Sequence, residues 1–143
     1  MRYLIVVFSF LLMSCTSNKS EEKKESSEKP QEEFQMYEAS EMATLMEQMY
    51  VHNAQLRDKI IKNDSLGSLP DYFSKITKAS MTKGKERDDF FNEKAKVFIK
   101  AQTEIYASEN TKQSFNSMVD ACISCHEVKC GGPIERIKTL YIK

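Results

Sequence analysis

The chain has 143 residues, 41% of them hydrophobic and 29% charged, with 21 basic side chains set against 21 acidic ones. That length holds one ordinary domain, and a formal net charge of +0 lacks the basic excess of a nucleic-acid binder, so no nucleic-acid partner is expected. With 4 Gly and 3 Pro there are too few turn residues for a many-stranded sandwich or barrel, and the composition favours helices.

The chain opens with a leader rather than with its fold. Met1 and Arg2 make a short positive start, and Tyr3 to Met13 form an almost unbroken apolar run, about half the length a transmembrane helix needs. Such a run reads as the apolar region of a secretory signal. It ends Leu12-Met13-Ser14-Cys15, which resembles the lipobox of bacterial lipoproteins. That resemblance implies a signal peptide over residues 1–14 and an acylated N-terminus at Cys15, with the protein anchored in the cell envelope and facing the periplasm or the exterior. An ordinary cleaved signal with an incidental cysteine is the blander alternative.

Residues 15–33 follow as a tether. From Thr16 the run TSNKSEEKKESSEKPQEE carries four Lys and six Glu and has no apolar stretch able to seed a core. Such a segment cannot bury enough surface to offset its conformational entropy, so a solvated spacer is expected. Composition changes at Phe34, and the folded domain is assigned to residues 34–143.

From there the period is helical. Met42, Leu45, Met46, Met49, Asn53, Leu56 and Ile60 form one stripe on a helix from about Ser40 to Lys62, with Ser40 as N-cap and Glu41 in the first turn. Pro70 opens a shorter helix with Tyr72, Phe73, Ile76 and Ala79 as its apolar residues. Met81 to Arg87 reads as a polar connection. A third helix is expected from about Asp88 to Ser108, with Phe90, Phe91, Ala95, Phe98, Ala101, Gln102 and Ile105 on one side. Asn110 and Gln113 resemble a capping box for a fourth helix, whose face carries Phe115, Met118, Val119, Cys122 and Cys125. Four amphipathic helices with short links predict an all-α, antiparallel four-helix bundle.

The chemistry sits at Cys122-Ile123-Ser124-Cys125-His126. On a helix, cysteines three residues apart share a face about 4.5 Å apart along the axis, so both sulfurs can add to the two vinyl groups of one porphyrin. The histidine after the second cysteine can then reach the iron. C-x-x-C-H is the c-type haem attachment pattern, and one covalent haem c is the expected cofactor. Three other readings compete. A Cys122–Cys125 disulfide leaves the adjacent His126 unexplained, and a thioredoxin-like pair lacks its βαβ context. Zinc on Cys122, Cys125, His126 and Cys130 crowds four ligands into nine residues, with Cys125 and His126 pointing apart on a helix.

At these residues the chain resembles the cytochrome c′ and cytochrome c-556 group, over roughly residues 38–128. The resemblance rests on the attachment motif, its late position and the helix number. It implies a four-helix bundle with a C-terminal haem-binding helix and His126 as the proximal iron ligand; no histidine besides His126 is placed to reach the haem, so no acid–base machinery and no enzymatic activity are expected. It also implies redox partner proteins and leaves room for a homodimer. The chain departs from the group by continuing from Glu127 through Cys130-Gly131-Gly132-Pro133 to Lys143.

Members of the group with a vacant sixth iron position bind small gases such as NO or CO, whereas those with a methionine there resemble electron carriers. In an antiparallel bundle Met42 lies level with His126, with Met46 about 6 Å, Met49 about 10 Å and His52 about 15 Å deeper. Met42 is therefore the candidate distal ligand and Met46 the alternative. His52 is expected at a solvated helix edge. The tail offers Lys129, Arg136, Lys138 and Lys143 as cations for the haem propionates or for solvent, and Cys130 as an unpaired thiol.

Overall fold

The computed structural model describes residues 38–143, and among these every regular element is helical. The leader, Cys15 and the tether to Glu33 lie outside the described residues. Helix α1 spans Glu41–Lys62, a 3-10 helix Asp71–Thr77, α2 Asp89–Glu104, α3 Thr111–Lys129 and α4 Ile134–Lys138. None of them is long and apolar enough to cross a membrane.

Local chemistry explains where the helices start and stop. Ser40 Oγ accepts the Ala43 N–H at 3.1 Å, satisfying one of the amides a helix start leaves without a partner. The first turn of α1 is also tied to a loop: Met42 N–H donates to the Ser80 carbonyl at 3.0 Å, and the Glu41 carboxylate accepts the Ser80 N–H at 2.8 Å. At the far end Asn63 takes a left-handed conformation, φ 55°, and its N–H closes onto the Ile60 carbonyl at 3.1 Å. The Asp88 carboxylate caps α2 by accepting from Phe91 N–H at 2.9 Å. At α3 the expected reciprocal cap forms, since Asn110 Oδ1 accepts from Gln113 N–H at 3.1 Å and Asn110 Nδ2 donates to Gln113 Oε1 at 3.0 Å.

Three elements differ from the sequence expectation, one of them the short helix α4, which was not expected in the tail. The second helix is a seven-residue 3-10 segment rather than a short α-helix. Ser74 Oγ donates to the Asp71 carbonyl at 2.7 Å and Thr77 Oγ1 to the Ser74 carbonyl at 3.0 Å, both three residues back. Such side-chain bonds compete with an α-helical ladder that is already costly to nucleate at this length. The segment still buries Phe73 and Ile76, the residues its periodicity marked. The third predicted helix is shorter than expected, with α2 ending at Glu104 and a turn carrying the fully buried Ile105.

A polar pair marks where α1 meets α2 and α3. Asn53 and Gln102, 2% and 0% exposed, join through Gln102 Nε2 donating to Asn53 Oδ1 at 3.0 Å. Asn53 Nδ2 also approaches Met118 Sδ at 3.8 Å. The start of α2 lies beside the end of α3: Lys129 pairs with Asp88, and Lys94 Nζ donates to Ser124 Oγ at 3.3 Å. Phe73 stacks on Phe98 at 6.1 Å between ring centroids, joining the 3-10 segment to α2.

The tail beyond α3 is part of the core. Ile137, Leu140 and Ile142 are buried, and the strap they form runs back along α3. Ile142 N–H and carbonyl both bond the Asn116 amide at 2.9 Å, while Arg57 Nη1 donates from α1 to the Thr139 carbonyl at 2.8 Å.

Candidate functional site

One end of the helical core opens into a cavity of about 320 Å³ whose lining is mostly apolar. Helix α1 contributes Met42, Met46, Met49 and Asn53 to its wall; α2 contributes Phe91, Lys94, Ala95 and Phe98. Helix α3 supplies Ala121, Cys122, Cys125 and His126, and the strap supplies Cys130, Pro133, Arg136, Ile137 and Leu140. The attachment-motif residues and all three α1 methionines therefore border one space. The 3.6-residue helical period brings Cys122 and Cys125 to the same side of α3, and His126 follows at its rim, half-buried.

The His126 ring is oriented by the end of its own helix. Its Nδ1 lies 3.0 Å from the carbonyl oxygen of Cys130, the C-cap residue of α3. A carbonyl can only accept, so in the neutral ring this contact favours the tautomer with the proton on Nδ1 and the lone pair on Nε2. Hydrogen bonding of this kind is the usual outer-shell support of a ligating histidine.

The thiols lie in a setting that disfavours charge. Cys122 opens onto the cavity, yet burial pushes its thiol up to about 12, with Cys125 adding to the rise. Burial also raises the Cys125 thiol, against the pull of Lys94 and Lys129. Cys122 Sγ contacts Met118 Sδ at 3.7 Å. Among the described residues no three His, Cys, Asp or Glu side chains gather as a metal cage. Cys130 is exposed and lies past the end of α3, bordering the same cavity as Cys122, Cys125 and His126. A largely apolar group would match this lining, with Cys122, Cys125 and His126 as the side chains placed to hold it.

Several expectations need correction. His52 is not a solvated edge residue: it is half-buried, bonds the Tyr106 hydroxyl through Nε2 at 3.0 Å, and packs edge-on against Phe73 at 5.2 Å. Burial holds its pKa below the ordinary value, with Lys59 adding to the effect. The tail cations are largely engaged by the protein's own carboxylates, Lys129 with Asp88, Arg136 with Glu47 and Lys138 with Glu135. Of the four, Lys129 and Arg136 border the cavity, whereas Lys138 and Lys143 do not. Lys85 and Lys94 do, and sequence reading passed over both.

Met81 is a further omission, since it lines the cavity from what reads as a polar connection. Being the only apolar side chain between Ser80 and Arg87 was its one signal. The strap had a clearer one, because Ile134, Ile137 and Leu140 recur every three residues. Compared with family models, curated proteins and solved structures, the chain finds no match in any of the three.

Proposed function

We propose that the chain is an exported, lipid-anchored c-type cytochrome that carries electrons outside the cytoplasmic membrane. The observation that carries this reading is the cavity itself, which joins Cys122, Cys125 and an Nδ1-bonded His126 on one wall with Met42 and Met46 on another. On this reading one haem c is bound through thioethers from Cys122 and Cys125, with His126 Nε2 as proximal ligand and Met42 as distal ligand. Met46 is the alternative, one turn deeper. Bound haem supplies reversible one-electron chemistry. The chain's own residues hold it, exclude water through Phe91, Phe98 and Leu140, and set the charge at its edge through Lys85 and Lys94.

The fold belongs to the same proposal as an antiparallel four-helix bundle whose second member is the 3-10 segment. The contacts of Asp88 with Lys129 and of Asn53 with Gln102 support that arrangement. Anchoring through Cys15 rests on the lipobox-like Leu12-Met13-Ser14-Cys15. Mass spectrometry finding an unmodified N-terminus downstream of Cys15 removes the anchor and leaves the cytochrome.

Expression with a haem-maturation system tests the core claim. The haem should remain with the protein through acid–acetone extraction, and Cys122→Ala with Cys125→Ala should abolish covalent capture. Complete loss of colour on extraction, with zinc bound instead, refutes the assignment.

A further inference from the structure

The strap does more than complete the core, and its attachment to α1 bears on His126. The Cys130 carbonyl that bonds the His126 ring belongs to a residue with φ −162° and ψ 79°, which turns it out of the helical ladder. Immediately after it come Gly131 and Gly132, and nothing lies within 4 Å of where a Cβ would stand on either. The Gly131 carbonyl accepts the Ile134 N–H at 3.1 Å, closing a turn that ties the two-glycine link to the start of α4, while the glycines themselves are conformationally permissive. With the Cys130 N–H bonded to the His126 carbonyl at 2.9 Å and the turn leading directly into α4, the direction of the Cys130 carbonyl follows where α4 is held.

The first strong attachment beyond the glycines is Arg136. Its Nη1 and Nη2 donate to the two carboxylate oxygens of Glu47, each at 2.6 Å, and its Cζ lies 3.8 Å from the centre of the Tyr50 ring. Tyr50 in turn shares a hydrogen bond with Thr139 Oγ1 at 3.2 Å. An exposed ion pair contributes little stability as such. The two-point, ring-stacked geometry instead fixes direction, which a single point charge does not. Glu47 follows Met46 on α1, so the clamp ties the strap to the helix that bears the candidate distal ligands.

We propose that Arg136 is a positioning residue for His126: clamped on Glu47 and Tyr50, it holds the strap so that the Cys130 carbonyl keeps the ring proton on Nδ1 and leaves Nε2 ready for iron. The purpose of this device rests on the haem reading, but its operation is measurable without haem. Sharing the Nδ1 proton with a carbonyl also makes the ring a stronger donor to a metal.

The test is nitrogen-15 NMR of the His126 ring in the haem-free full-length chain, at about pH 8 where an ordinary histidine is neutral. The unmodified chain should show the Nδ1–H tautomer as the major form. Arg136→Gln and Glu47→Gln should each shift the population towards Nε2–H, Arg136→Lys should do so partly, and Glu47→Arg combined with Arg136→Glu should restore Nδ1–H. Amide spectra of the same samples should stay dispersed, because the altered side chains are at the surface. In the haem-loaded protein, Arg136→Gln should raise the midpoint potential while the haem stays attached. An Nδ1–H population unchanged by Arg136→Gln, or a swapped pair that restores nothing, overturns the positioning role. A chain that takes up no haem but shows the tautomer shift overturns the haem reading and leaves the clamp standing.

Discussion

Replacing Met42 and Met49 one at a time separates a ligand from core filler. The two side chains are 5% and 4% exposed and both border the cavity, so truncation to Ala removes similar buried apolar surface. Burial of that degree places each loss in the range of roughly 2–5 kcal/mol for Met→Ala in a core. Because one side of each thioether already faces the cavity, fewer packing partners are lost and the cost should fall near about 2 kcal/mol in the haem-free chain. For a domain of this size that corresponds to a fall in melting temperature of roughly 8–16 °C, measured by circular dichroism. The spectra of the loaded protein should then diverge. Met42 is in the first turn of α1, which the Ser80 bonds and the Ser40 cap hold in place, a setting suited to presenting a fixed sulfur. Met42→Ala should turn the ferric haem from low-spin to high-spin and speed CO binding to the ferrous form, whereas Met49→Ala should lose stability alone. A low-spin Met42→Ala protein refutes the assignment, and the same change appearing in Met46→Ala instead moves the ligand one turn. If the unmodified protein is already high-spin and takes up CO or NO at once, gas binding replaces electron transfer.

Acid should weaken the ties at the cavity end. The Ser80 N–H holds the Glu41 carboxyl below 4.5, and Lys129 with the Phe91 N–H holds Asp88 below 3.8. A carboxyl depressed in the folded state contributes stability fully present above its ordinary value and lost as pH falls through the folded one. Thermal melting should therefore decline below about pH 4.5, with a shallower slope in Glu41→Gln. His52 acts in the window above: its neutral form is favoured by burial, so stability should be complete above 6.5 and fall as pH drops below it, and His52→Gln should flatten that segment. The Asn53–Gln102 pair should show coupling, because Gln102 Oε1 is already buried without a partner among the described residues. Asn53→Ala leaves the Gln102 amide unpaired as well, at a cost of roughly 1–3 kcal/mol, and a double Ala variant that melts as the sum of the singles refutes the link.

Much of the domain is legible from local pattern alone. Ser40, Asn63 and Asn110 bound their helices as side-chain chemistry dictates, because a cap depends on groups within four residues. The stripe from Met42 to Ile60 is buried at six positions, including polar Asn53, because helical period is a property of the segment itself. The attachment motif is likewise local, and two cysteines three apart share a helix face wherever that helix packs. What periodicity does not carry is the competition between alternatives, which is how the Ser74 and Thr77 hydroxyls came to select a 3-10 segment.

Tertiary structure decided everything that depends on residues far apart in the chain. His52 lies between Val51 and Asn53, off the apolar stripe of α1, and only the arrival of Tyr106 and Phe73 buries it. Arg136 and Lys129 were legible as charges, yet their partners Glu47 and Asp88 come from other helices, 89 and 41 residues away. The cavity is assembled from α1, α2, α3 and the strap together, so no single segment announces it, and Met81, Lys85 and Lys94 gain their places only from that assembly. Local spacing was enough to specify helices across the described residues and a face of α3 carrying both thiols, with His126 beside it, since each follows from the period of one segment. Which side chains confront that face, and how the His126 ring is turned towards it, depended on packing, because those distances are set across the core rather than along the chain.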